Sequence, residues 1–386
     1  MLRFIKDPFR GPNGRSIPDA KARARSAALA GGRVRRIHRP LTLPVALGAG
    51  LLALSGTLVG ATGAGAASEP SGVVDLVAYS TPAPAYTVLV RDFQKTPAGK
   101  NVLVESSFGA SGTQSKNVVA GQPADVVNFS LATDMERLVA AGLVSTTWGS
   151  SPVNHGYVTN SVVAFAVPKG NPEHIKTWAD LLKAGIRIFT PNPFSSGSAR
   201  WNIMAAYGAQ LAEGHSPAQA QAFLKAFLAG TVVQDASAAD ELQTFLIDRQ
   251  SNKTDVLIDY ESDILQAINA GAKISYVVPR QTILIQNPIA VTTDSKNPSA
   301  AAAFVTYLES PAGQNEWARL GYRPVLKSVA TKWATKFPAP KDLFTIQSYG
   351  LDGWDNVAKV FFSTSKSSPG IVTQLEGSLG ISTSSG

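Results

Sequence analysis

The spacing of apolar positions changes repeatedly along this chain. Short runs of β-branched and apolar residues alternate with stretches in which apolar residues recur every three or four positions. That alternation predicts an α/β architecture. Val73 to Tyr79 (VVDLVAY) reads as a buried strand, and a helix carrying Tyr86, Leu89, Val90 and Phe93 follows it. NVLVES and ADVVNFS give two more strands, and residues 132–141 another helix. Ser161 to Gly170 (SVVAFAVPKG) reads as a strand closed by a Pro and Gly turn. A short strand at 186–189 precedes helices over 199–213 and 216–228. TVV, a helix over 238–248, DVLID, a helix over 262–270, ISYVV and PIAVTT complete the alternation, and helices over 299–308 and 311–320 come last. From Ser363 the chain is rich in Ser and Gly, a composition that predicts a partly mobile tail. No internal repeat is visible.

The most informative run is TPNPFSSGSARWN, residues 190–202, between a strand pattern and a long helix pattern. Ser195, Ser196, Gly197 and Ser198 fall where the helix begins. Small residues there leave backbone N–H groups open to a ligand, and the helix dipole favours negative charge. A plain serine N-cap is the alternative reading. The same arrangement recurs. Ser80 and Thr81 follow the first strand, Gly109 to Gln114 (GASGTQ) the second, and Asp235 to Ala239 a later one. Ligands of open α/β sheets lie beyond the carboxyl ends of the strands. Several helix starts converging there would surround an anion with neutral donors.

Charge and length refine this picture. With 386 residues the chain is about two domains long. Residues 1–40 carry eleven of its 35 Lys and Arg but only two of its 27 Asp and Glu, which leaves 24 basic and 25 acidic residues elsewhere. The basic balance therefore belongs to the N-terminus. The body gives no compositional case for nucleic-acid binding. The basic stretch runs into an apolar one, Leu41 to Val59, and then into the small residues Ala61 to Ala67, which predicts an export segment over 1–67. Cleavage is expected near Ala67 or Ser68, with an uncleaved membrane anchor as the alternative. The chain has no cysteine, hence no disulfide, thiolate metal site or lipid-bearing cysteine.

Enzyme readings find little support. GASGT lacks the closing glycine of a nucleophile elbow. His38, His155, His174 and His215 stand singly, without metal spacing or a triad signature. No phosphate-binding loop or dinucleotide fingerprint appears. Neither a cofactor nor a metal is expected. The six tryptophans read as packing residues, with Trp201 placed to brace the anion loop, and Arg200 reads as an ion-pair or surface residue.

Taken together, TPNPFSSGSARWN, GASGTQ, ADVVNFSL, FAVPKGNPEHIKTWADL, SPAGQ with GYRPV, and FTIQSYGLDGW resemble the sulfate-binding proteins of bacterial ABC transporters over roughly residues 73–376. The resemblance implies the two-lobed type II periplasmic-binding-protein fold, with the ligand cleft between lobes. Lobe one would hold 71–153 and 287–386, and lobe two 154–286. It implies a monomeric extracytoplasmic receptor, in the periplasm or cell-wall space, that hands sulfate to a membrane permease. Phosphate, thiosulfate and molybdate are alternative ligands, and a secreted adhesion or signalling protein that has lost transport is an alternative role. Carried over by motif, the anion contacts fall on Ser80, Ser111, Ser196, Gly197, Ser198, Ala238 and Tyr260. The chain departs from the pattern at four of these places. Tyr260 replaces a tryptophan, Ser80 an aspartate and Ser198 a glycine, and DASAAD around Ala238 replaces DSGARG. A donor-only pocket selects fully deprotonated sulfate, whereas a carboxylate in it would suit a protonated anion such as phosphate. Asp235 and Asp240 read as helix-flanking residues, and Glu261 as a structural hydrogen-bonding group.

Overall fold

A computed structural model describes residues 69–248, 254–381 and 383. The expected export segment lies outside the described residues. Among them, no helix is long and apolar enough to cross a membrane.

The chain opens with parallel strands β1 (Gly72–Tyr79), β2 (Val102–Gly109) and β3 (Val126–Asn128). Between them lie α1 (Ala83–Phe93) and α2 (Ser111–Val119), and α3 (Ala132–Ala140) follows. The register sets Tyr79 beside Gly109 and Ala78 beside Asn128, so the ends of all three strands come together. Their small-residue loops therefore open on one edge.

The later segment repeats the device. Strands β5 (Arg187–Phe189), β6 (Thr231–Val233) and β7 (Asp255–Tyr260) are parallel, with Phe189 beside both Leu257 and Val233. Helix α4 (Gly197–Ala212) follows β5, α5 (Pro217–Ala229) precedes β6, α6 (Ala238–Asp248) follows β6, and α7 (Glu261–Asn269) continues directly from β7. All six residues of β7 are buried. A strand covered on both faces has no polar side, so its two aspartates need partners inside the protein.

Two long strands join these groups. β4 (Tyr157–Pro168) pairs antiparallel with β9 (Gln281–Val291) over Tyr157–Val162, and its remainder pairs with β7 and with β8 (Ile274–Val277). The far end of β9 pairs with β3. The sheet order is thus β2-β1-β3-β9-β4-β7-β5-β6. Helices α8 (Pro298–Glu309), α9 (Pro311–Leu320) and α10 (Lys327–Lys332) follow β9. Phe304, Leu308 and Trp317, from α8 and α9, close the core over β1 with Tyr86 and Phe93 of α1.

The C-terminal part departs from both expectations made for it. Strand β10 (Asp342–Phe344) pairs with the start of β9, and α11 (Gly353–Phe362) and α12 (Ile371–Ser378) follow. Phe344, Trp354, Val357, Phe361, Phe362 and Val372 join the core built on α4 and α5 rather than that of β1. The return from Asn287 is therefore divided, its last part packing on the segment assigned to lobe two. Nor are residues 364–381 a loose tail, since they carry α12. Burying each large apolar side chain contributes roughly 1.5–3 kcal/mol, enough to hold a short helix whose ends are rich in Ser and Gly.

Candidate anion-binding site

The loop before α4 is fixed by its own polar groups. Asn192 Oδ1 accepts from Phe194 N at 2.8 Å, and the Asn192 carbonyl accepts from Ser196 N at 2.9 Å. Asn192 N donates to the Asp235 carbonyl at 2.8 Å, and Ser195 Oγ to the Ala236 carbonyl at 2.8 Å. The loops that open α4 and α6 are thereby held side by side. Beneath them Asn202, fully buried, donates to Thr190 Oγ1 at 3.0 Å and to the Ile258 carbonyl at 2.8 Å. Ser196 is the N-cap of α4, extended at φ −94° and ψ 125°, and its hydroxyl makes no capping bond. It leaves the first N–H groups of the helix, those of Gly197 and Ser198, without a side-chain cap.

The loops after β1, β2 and β3 press against this face. Gly112 N donates to the Ser195 carbonyl at 3.2 Å, and Trp201 Nε1 to the Ser130 carbonyl at 2.9 Å. Ser130 Oγ and Tyr260 Oη lie 2.7 Å apart. Thr81 Oγ1 donates to Asp263 Oδ2 at 2.8 Å, and Ala239 N reaches Ser80 Oγ at 3.4 Å. The approach is close enough that a Cβ on Gly197 would lie 2.4 Å from Ser130 Oγ. Glycine is required there by space.

The structure thus brings Ser80, Ser111, Ser196, Gly197, Ser198, Ala238 and Tyr260 to one buried seam. They are differently engaged. The Ser111 hydroxyl donates to Asp134 Oδ2 at 2.6 Å and accepts from Ser130 N at 3.0 Å, so it is occupied within its own loop. Asp134 is further held by Ser115 and by Arg137, at 2.6 Å from the latter. Ser198 Oγ donates to Asp259 Oδ1 at 3.2 Å. Ala238 opens α6 and is buried. Tyr260 is fully buried, and burial pushes its phenol well above the ordinary range.

Sequence reasoning named Thr81 within a donor-rich helix start but missed Tyr79, Ser130, Asp259 and Asp263, which share the seam. Tyr79 Oη and Asp259 Oδ2 are buried without a hydrogen-bond partner among the described residues. Burial, and then the mutual repulsion with Asp263, push Asp259 well above the usual carboxylate range, and burial raises Asp263 as well. The available signal was an aspartate inside DVLIDY, a run otherwise apolar enough to be buried on both faces. Asp235 and Asp240 flank α6 as expected, accepting from Thr244 and Ser237. Glu261 pairs with Arg323 at 2.6 Å. Arg200 has neither expected role. Its Nε donates to the Pro193 carbonyl at 2.8 Å, and its guanidinium lies 4.8 Å from the centre of the Phe362 ring.

A cavity of about 50 Å³ beside Ser195, Ser196 and Gly197 is lined by the cations Lys116, Arg137 and Arg200 and by Asp134, which pairs with Arg137. A larger hollow of about 290 Å³ lies against Trp201, Trp354, Trp148 and Tyr157. None of the seven expected residues lines it.

Comparison with known proteins bears on this arrangement. The sulfate-binding protein of Synechococcus elongatus is 35% identical over 297 residues, 75% of this chain and 83% of the relative. The sulfate-binding protein of Salmonella typhimurium is 37% identical over 276 residues, 70% of this chain and 82% of the relative. Among solved structures, the sulfate-binding protein SubI of Mycobacterium tuberculosis is 38% identical, with a TM-score of 0.70, covering 74% of this chain and 97% of that one. The likeness supports the type II binding-protein fold. The family described as bacterial extracellular solute-binding protein matches residues 74–323, the span that contains every strand end and helix start of the seam. With that match and these identities, the chain belongs to the bacterial extracellular solute-binding proteins.

Proposed function

We propose that this protein is the receptor of a bacterial ABC importer for sulfate, holding the dianion between the starts of α4 and α6 and the hydroxyls of the facing loops. The observation that carries the reading is the uncapped first turn of α4 at Gly197 and Ser198, pressed against a seam of serine and tyrosine hydroxyls. Sulfate accepts hydrogen bonds and offers none, which suits such a seam. The relatives' names point the same way. Ser80, Ser111, Ser196, Gly197, Ser198, Ala238 and Tyr260 are the proposed contacts, Ser111 chiefly through its backbone because its hydroxyl is bonded to Asp134.

In this reading the protein acts as an exported monomer and delivers its ligand to a membrane permease. The lobes would be 71–153 with the first part of the return, and 154–286 with β10, α11 and α12. β4 and β9 would flex as the lobes part. Calorimetric titration of the chain from Ser68 with sulfate, thiosulfate, phosphate and molybdate tests the reading. Reversible binding of sulfate, unchanged by prior treatment with a chelator, is expected. Binding that disappears on chelation and returns with a divalent metal would overturn the donor-only site.

A further inference from the structure

Strand β7 carries a carboxylate that a seam of neutral donors does not explain. Asp259 sits opposite Ala164 in the middle of the sheet and is 0% exposed. Its Oδ1 accepts from Tyr260 N at 2.7 Å and from Ser198 Oγ at 3.2 Å. One oxygen is therefore fastened to the first turn of α4 and to the backbone of another proposed contact, Tyr260. The other, Oδ2, is buried and has no hydrogen-bond partner among the described residues.

Among the described residues, the charged groups around it give no cation to neutralise it. On α4, Arg200 is turned to the Pro193 carbonyl and the Phe362 ring. On β5, Arg187 lies at the other end of the ladder and pairs with Asp248 and Asp255. On α7, Glu261 is held by Arg323, and Asp263 by Thr81 from the loop after β1. On α6, Asp240 bonds Ser237, while Glu241 accepts from Asp235 N at 2.6 Å and is itself fully buried. The neighbours on β4, Val163, Ala164 and Phe165, are apolar. An ionised Asp259 would face two further acids and an incoming dianion with one oxygen unpaired, whereas a neutral acid has an O–H that needs an acceptor.

We propose that Asp259 serves the bound dianion as a neutral carboxylic acid, donating a hydrogen bond from Oδ2, so that anion binding is coupled to one proton. The proposal rests on the anion reading above and names a residue that the family motifs do not supply. Burial and the repulsion from Asp263 and Glu241 support it by holding the acid protonated. In the free protein, once the pH exceeds the point at which Asp259 ionises, affinity should fall by about tenfold per pH unit. Sulfate itself does not titrate between pH 6 and 9, so it is the clean probe.

The test is calorimetry with sulfate from pH 6 to 9 on the wild-type protein, on Asp259→Asn and on Asp259→Ala. The amide keeps an acceptor for Tyr260 N and Ser198 Oγ and offers Nδ2–H where the acid offered Oδ2–H. Asp259→Asn should match the wild type within about threefold at pH 6 and stay level to pH 9, whereas Asp259→Ala, which offers no donor, should lose roughly tenfold or more at pH 6. Asp259→Ala that binds sulfate as tightly as the wild type at pH 6 would overturn the proposal and leave the anion reading intact. A wild type that prefers phosphate, with Asp259→Asn reversing the preference, would overturn it in favour of an ionised acceptor. Failure of the wild type to bind sulfate, thiosulfate or phosphate at any pH would overturn the anion reading itself. If Asp259→Asn does not fold, Asp259→Ala against the wild type at pH 6 decides by the same criterion.

Discussion

Ser196 and Tyr260 reach the seam in different ways, and their substitutions separate two kinds of contribution. Ser196 is the N-cap of α4, yet its hydroxyl does not close on its own helix. Ser196→Ala should therefore cost little stability. It should remove one donor to a charged ligand, worth about 1.5–3 kcal/mol, or a loss of roughly ten- to a hundredfold in sulfate affinity, at about 1.4 kcal/mol per tenfold. Unchanged affinity by calorimetry would place the anion elsewhere. The Tyr260 hydroxyl lies 2.7 Å from Ser130 Oγ, so Tyr260→Phe breaks a bond between two strand-end loops as well as a proposed contact. It should lower affinity to a similar degree and also lower the thermal midpoint. Lowered stability with full affinity would make the ring a packing residue. The donor-rich loops, Thr81 included, were legible in the sequence because small residues at helix starts carry a local chemical meaning. Tyr260 entered only through the family resemblance, and Ser130 and Tyr79 were not marked. What places them is the approach of two segments remote in sequence, and nothing within either segment marks it.

Helix α7 shows how an element is held in place by one ion pair. Its first residue, Glu261, is 0% exposed, and Arg323 grips both carboxylate oxygens, at 2.6 and 3.0 Å. Arg323 is itself anchored by paired backbone bonds with Asn160 on β4, at 3.0 and 2.9 Å. Burial pushes the Glu261 carboxyl up, and Arg323 opposes that shift. Arg323→Met leaves a buried acid unpaired and should destabilise the protein by about 3–5 kcal/mol. Arg323→Met with Glu261→Gln should recover part of that loss, because the buried charge goes as well. Urea unfolding of the two variants measures the difference, and equal loss in both would show that the pair contributes only packing. At this scale the sequence was largely readable where periodicity was long. The expected helices at 199–213 and 216–228 appear as Gly197–Ala212 and Pro217–Ala229. Strand β9 was read only from Pro288 onward, because a proline within a strand pattern argues for an end. Here Pro288 instead lies inside the strand, where its carbonyl accepts from Asn128 Nδ2 at 2.8 Å and from Phe129 N at 3.0 Å. Helices α11 and α12 escaped because Ser, Gly and Pro surround short apolar runs whose partners, α4 and α5, lie more than a hundred residues earlier.

For the whole molecule, buried acids make stability a function of pH. Burial pushes Glu241 up to about 8, Asp263 to about 7, Glu309 to about 7 and Asp255 to about 6. A carboxyl whose folded value lies above its unfolded value, near 4, binds a proton on folding throughout the interval between them. Each of these acids therefore favours the folded state at low pH, and the advantage declines as pH rises from about 4 to its folded value. The lowered acids work oppositely but elsewhere. Asp180 and Asp125 are held down by hydrogen bonds to neighbouring backbone and side chains, against the desolvation of burial, and Asp92 chiefly by its bond to Lys95. Their contribution is complete above about pH 4 and is lost only below it, so it is constant in the window where the raised acids titrate. The thermal midpoint of the ligand-free protein should accordingly fall as pH rises from 5 to 8. On the anion reading a bound dianion adds to stability by mass action, about 2.7 kcal/mol at a hundred times its dissociation constant, and repels whichever of Asp263 and Glu241 has ionised. The midpoint should thus rise with sulfate at every pH, and the gain should be larger at pH 5 than at pH 8. Scanning calorimetry at constant ionic strength, with and without sulfate, measures both slopes. A ligand-free midpoint that is level or rising between pH 5 and 8 would show that these carboxyls reach water or a cation before the protein unfolds.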